Sequence, residues 1–96
     1  MTIVMKTTSG PSSYSSGGFT VTIGELEKIS KAIVVPNTNI EANDKVRQIR
    51  WTISGNTVTI VVREIDVTGS SPVSWSEVAD GTDLSDITFT IIAEGY

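Results

Sequence analysis

Apolar and polar residues alternate along much of this chain with a period of two, the pattern of half-buried β-strands. In Gly18–Gly24, Phe19, Val21 and Ile23 fall on one side, and Thr20 and Thr22 on the other. In Ile87–Gly95, Ile87, Phe89, Ile91 and Ala93 share a face, with Thr88, Thr90 and Ile92 opposite. Thr2–Thr7 is a shorter strand candidate. Glu25–Pro36 is mixed. Leu26, Ile29 and Ile33 have helical spacing, while Ile33–Val35 is a strand-like run closed by proline. The segment predicts one turn of helix, or a bend, leading into a strand from about Ser30.

The stretch "IRWTISGNTVTIVV" (Ile49–Val62) predicts a β-hairpin with Gly55-Asn56 at a two-residue turn. Pairing Ser54 with Thr57 and continuing outward sets Ile53 against Val58, Trp51 against Ile60 and Ile49 against Val62. All three pairs lie on one face. The other face receives Thr52 with Thr59, Arg50 with Val61 and Gln48 with Arg63. A slip of one residue destroys that sorting, so the register is well specified. Farther from the turn, Arg47 opposite Glu64 occupies the formerly apolar side and Val46 opposite Ile65 the other. Either a long twisted hairpin or a bulge near Arg63 accounts for the switch.

Val67–Trp75 contains a turn and then alternates again at Val73 and Trp75, extending to Val78. Asn37–Asp44 and Asp80–Asp86 are polar and turn-rich. The sum is about six or seven strands with short turn signals. It predicts an all-β fold, an antiparallel β-sandwich or a partly open barrel around the long central hairpin. Thr8–Gly18 is uncharged and rich in Ser and Gly, with little preference for helix or strand. Residues 1–17 therefore read as a strand plus a flexible arm, and 18–96 as one sandwich domain.

Composition narrows the function. The 96 residues carry seven basic and eleven acidic side chains, net −4, with no base after Arg63. A nucleic-acid partner calls for a basic face that releases counterions from phosphates, so neither nucleic acid nor an anionic membrane is expected. No apolar run approaches the roughly 20 residues of a membrane span, and no secretory signal is visible at the N-terminus. With no histidine and no cysteine there is no Ser-His or Cys-His pair, thiolate zinc site or disulfide. Nucleotide-binding glycine loops and the GxSxG elbow are absent as well. What remains is carboxylate chemistry, which needs two acids across a cleft. The chain reads as non-enzymatic, with no cofactor expected beyond calcium.

Asp80, Asp83 and Asp86 are the metal candidates, because Ca2+ takes oxygens from carboxylates and backbone carbonyls. Their spacing does not match an EF-hand, and turn chemistry competes: Asp80-Gly81 forms a turn while Asp83 and Asp86 accept backbone N–H bonds. Asn37, Asn39, Glu41 and Asn43 form a second oxygen-rich series under the same competition. Trp51 shares a face with Ile49 and Ile53, which favours core packing over sugar stacking. Trp75, in the polar context "SSPVSWSE", and Tyr14 and Tyr96, on the arm and the C-terminus, are candidates for contact with a ligand or neighbouring subunit.

The stretches "GFTVTIGELEKISKAIVVPN", "IRWTISGNTVTIVV" and "GTDLSDITFTIIAEGY" resemble, in style, small β-sandwich structural proteins of tailed phages and archaeal viruses. The resemblance runs from Gly18 to Tyr96, rests on no diagnostic motif, and carries over no residue role. It implies a tail, fibre or capsid-decoration subunit, assembled in the cytoplasm and found in the virion or outside the cell. Its partners would be copies of itself or other virion proteins. Self-association is expected through strand edges or through the arm, Thr2–Gly18, adding a strand to a neighbour. The alternatives are a module binding a surface glycan or receptor, and a secreted filament subunit exchanging strands.

Overall fold

The computed structural model describes residues 2–37, 45–66 and 75–96. Within them run β1 (Thr2–Ser9), β2 (Phe19–Thr22), β3 (Ile29–Pro36), β4 (Lys45–Ser54), β5 (Thr57–Asp66), β6 (Ser76–Glu77) and β7 (Thr88–Gly95), and no helix. Every pairing is antiparallel. One sheet has the order β1-β7-β3. The other has the order β2-β5-β4, with β6 also paired to β5. The sheets are not closed on each other, so the fold is a sandwich and the barrel alternative falls away.

The central hairpin follows the sequence pattern residue for residue. Ser54 pairs with Thr57 and the ladder continues unbroken through Trp51–Ile60 and Ile49–Val62 to Lys45–Asp66. Gly55 has a φ of +60°, the left-handed value that a two-residue turn demands. The switch of face near Arg47 involves no bulge between β4 and β5. Arg47 and Glu64 stay on the inner side and form an ion pair at 3.4 Å, with side chains only 12% and 15% exposed. The apolar face thus ends in a mutually neutralising pair rather than in a distortion.

The core lies where the inner faces of β5 and β7 meet. Val58, Ile60 and Val62 from β5 and Phe89, Ile91 and Ala93 from β7 are fully buried. Ile23, Leu26, Val34 and Leu84 close the space around them. Phe19 of β2 meets Phe89 across the layers with ring centroids 5.7 Å apart. Each such side chain contributes about 1.5–3 kcal/mol by leaving water. Glu25–Lys28 forms a bend rather than a helical turn, and β3 begins at Ile29, with a register shift before Lys31.

Two expectations need correction. β1 pairs with β7 from Thr2–Gly95 to Ser9–Thr88, so residues 1–17 are not an appendage to an 18–96 domain: their strand is an edge of its first sheet. The Ser/Gly-rich segment is bonded to the body of the sandwich rather than free to swing. Gly10 N–H donates to Ile87 C=O at 2.8 Å, Tyr14 N–H to Thr82 C=O at 2.8 Å, and Leu84 N–H to Pro11 C=O at 2.8 Å. The strand expected through Val73 falls outside the described residues; β6 covers only Ser76–Glu77.

Candidate functional site

Tyr14 organises one edge of the second sheet. β2 pairs with β5 as far as Ile60 and β6 resumes at Arg63, which leaves a gap opposite Val62. The Tyr14 hydroxyl fills it, accepting the Val62 N–H at 3.2 Å and donating to Glu77 Oε2 at 2.6 Å. Glu77 also accepts the Gly17 N–H at 2.7 Å and the Ser16 hydroxyl at 3.2 Å, and Asp80 accepts the Ser16 N–H at 2.7 Å. The Tyr14 hydrogen bond, then that of Gly17, holds the Glu77 carboxyl below its ordinary range. Burial, reinforced by the bond to Glu77, pushes Tyr14 up to about 12. Tyr14 is 1% exposed and serves the core, so the contact role anticipated for it is not open to its ring.

The remaining candidates are spread apart. Asp83 accepts the Ser85 N–H and hydroxyl at 2.9 and 2.6 Å, and Ser85 lowers its pKa. Asp80 is committed to Ser16, and among the described residues no three carboxylates gather to hold a metal ion. Asn37 Oδ1 accepts from Thr90; Asn39, Glu41 and Asn43 lie outside the described residues. Trp75 is 38% and Tyr96 64% exposed. Trp75 C=O accepts Arg63 Nη2 at 3.1 Å, beside an open groove of about 580 Å³ lined by Arg50, Thr52, Val61, Arg63 and Glu77 on the outer face of the second sheet. There a carboxylate held in its charged form by its donors is a poor general acid at neutral pH.

The outer face of the first sheet is different in kind. Pairing sets Met5, Ile92 and Ile33 in one row across the three strands. Ile3, Glu94 and Lys31 form the row on one side, and Thr7, Thr90 and Val35 the row on the other. Ile3 is 66%, Met5 69%, Ile33 54% and Val35 43% exposed. A shallow groove of about 430 Å³ runs over this face toward Ile53, lined by Ile3, Lys31, Ile33, Ile92 and Glu94. An antiparallel sheet that faces water ordinarily presents polar residues there, as the second sheet does with Thr20, Thr22, Thr52 and Thr59. A contiguous exposed apolar patch of this kind is the molecule's candidate interaction surface.

The sheet edges, by contrast, are guarded. Trp51 Nε1 donates to Ala32 C=O at 3.0 Å across the β3–β4 corner, and Pro36 ends β3 without an N–H to offer. β4 carries Arg47 and Arg50, and β2 is only four residues long. Lys6 of β1 turns toward the second sheet and donates to Thr22 C=O at 3.1 Å. Short strands, proline and inward-pointing charge are the devices that discourage edge-to-edge pairing.

Comparison with protein-family models, with curated proteins and with solved structures finds no match to this chain. The apolar face was not singled out from the sequence, although its signal is present. "AIVV" in β3 is apolar at consecutive positions, so one of its two faces had to point away from the core. Ile3 and Met5 alternate with Thr2, Val4 and Lys6, and nothing in that short run says which set faces inward.

Proposed function

We propose that the chain is a non-enzymatic assembly subunit that works by self-association through the outer face of β1-β7-β3. The setting suggested by its resemblance is a virion, in which many copies coat a tail, fibre or capsid. The observation that carries this reading is the set Ile3, Met5, Ile33 and Val35, exposed on either side of the half-buried Ile92 by a sandwich whose core lies between its sheets. Burying apolar side chains of this size is worth about 1.5–3 kcal/mol each when complete, so a partner surface has much to gain there. The guarded edges argue against association by strand addition, and the bonded Gly10–Gly18 segment argues against an arm exchanged between neighbours.

Sedimentation over a wide concentration range tests the reading. The wild-type chain is expected to associate as concentration rises. Ile33→Lys is expected to shift the association to at least tenfold higher concentration, while Thr52→Lys on the opposite outer face leaves it in place. A chain that stays monomeric throughout, or is indifferent to Ile33→Lys, would overturn the proposal.

A further inference from the structure

The assembly reading names the face on which copies meet; the orientation of the pair rests on that reading and follows from the rows of the same face. We infer that the occupant is a second copy of the same chain, packed face to face about a two-fold axis that lies between the sheets and runs across the strands. Met5, Ile92 and Ile33 then each lie over their own counterparts.

The amount of surface fits. A stable two-fold interface buries about 800 Å² on each partner, roughly two-thirds of it apolar in homodimers, hence about 500 Å². Ile3, Met5, Ile33 and Val35, with Ile53 at the end of the groove, expose apolar area on that order. Only one lysine and one glutamate, Lys31 and Glu94, share the three rows, so the patch is neutral within a chain of net charge −4. Two copies meeting here keep the bulk of their like charge apart.

The charged row selects the axis. In a face-to-face pair whose axis runs along the strands, each row meets itself, and Glu94 sits against Glu94 of the second copy at the centre of the contact. Like charges so placed are costly once desolvated. With the axis across the strands the rows reverse about Met5, Ile92 and Ile33. Glu94 then meets the row of Thr90, where the Asn37 carboxamide, held by the Thr90 hydroxyl at 2.9 Å, brings N–H donors. Lys31 meets Val35, which its aliphatic stem can cover while the ammonium reaches the rim. This arrangement is isologous and closes on itself as a dimer.

A chain without cysteine allows a direct test. Met5→Cys and Ser9→Cys each place one thiol on the outer face of β1. Packed sheets lie about 10 Å apart, so in the proposed dimer two Met5→Cys thiols come within reach of a short bismaleimide. The two Ser9→Cys thiols, four residues farther along a strand that runs the opposite way in the second copy, are separated by about 27 Å or more. Efficient dimer crosslinking of Met5→Cys and little of Ser9→Cys, at a concentration where sedimentation reports association, is the expected result. Equal crosslinking of both overturns the axis, and crosslinking of neither in an associated sample overturns the face-to-face contact, while self-assembly itself stands. A sample that does not associate at any concentration removes the assembly reading together with the dimer.

Discussion

The Tyr14 hydroxyl lies 2.6 Å from Glu77 Oε2 and 3.2 Å from the Val62 N–H, standing where a backbone carbonyl would stand if the β5 edge were continuously paired. One side chain from a serine-rich crossing segment thereby completes a sheet. Tyr14→Phe keeps the ring in the core but leaves the buried Val62 N–H without an acceptor, which costs about 1–3 kcal/mol. For a domain of this size each kcal/mol corresponds to roughly 4–8 °C in Tm. Thermal melts of the two proteins check this.

The same hydroxyl makes stability depend on alkaline pH. Burial pushes its folded pKa up to about 12, above the ordinary tyrosine value of 10.0, so folding favours the protonated phenol. That contribution is complete below pH 10 and is lost as pH rises toward 12. The Tm difference between wild type and Tyr14→Phe is expected to shrink across this window. A difference that stays constant from pH 9 to pH 12 would contradict the hydrogen bond.

Glu77 gives the opposite sign. Its folded pKa is lowered, so its contribution is present above the unfolded value near 4.5 and fades as pH falls through the folded one. Glu77→Gln is expected to lower Tm at pH 7, because a neutral amide is a weaker acceptor for Tyr14, Ser16 and Gly17. It is also expected to flatten the acid limb of the stability curve. Melts of both proteins from pH 7 to pH 3 separate the two effects.

Strand existence, the hairpin register and the inner faces of β2, β5 and β7 were legible because each segment sorts cleanly at period two. The Gly10–Gly18 crossing was not legible, since its order comes from partners far away in the sequence. Ser16 and Gly17 are bonded to Glu77, and Ser16 to Asp80. A uniform Ser/Gly composition carries no trace of those bonds. Tyr14, the segment's one large side chain, was the available signal, and burial rather than ligand contact explains it. The apolar outer face was hidden for a different reason: it exists only after β7 brings β1 and β3 to its two sides.

Gly10 tests how tightly that crossing is held. A Cβ built there would collide with the Leu84 carbonyl oxygen, far inside van der Waals contact with backbone that cannot rotate away. Gly10→Ala is expected to lower Tm by several degrees through overpacking, about 1–3 kcal/mol. Gly24→Ala, with nothing within 4 Å of its Cβ, is the control and is expected to change stability little. Equal melting of the two variants would show that the segment gives way at no cost.

Trp51 carries the last prediction, because it links fold to assembly. Its ring packs against the core from the edge of β4, and its Nε1–H occupies the Ala32 carbonyl on the outer edge of β3. Trp51→Phe preserves most of the apolar contact but uncovers that carbonyl, at a cost of about 0.5–1.5 kcal/mol for the lost hydrogen bond. The larger consequence is for specificity. With Ala32 C=O unpaired, β3 becomes an edge that a second chain can extend, a route to open-ended association. Sedimentation of Trp51→Phe should therefore reveal species larger than those of the wild type at equal concentration, and adding Ile33→Lys should not remove them. If Ile33→Lys abolishes all association in the Trp51→Phe background, the edge was never available and Trp51 acts through packing alone.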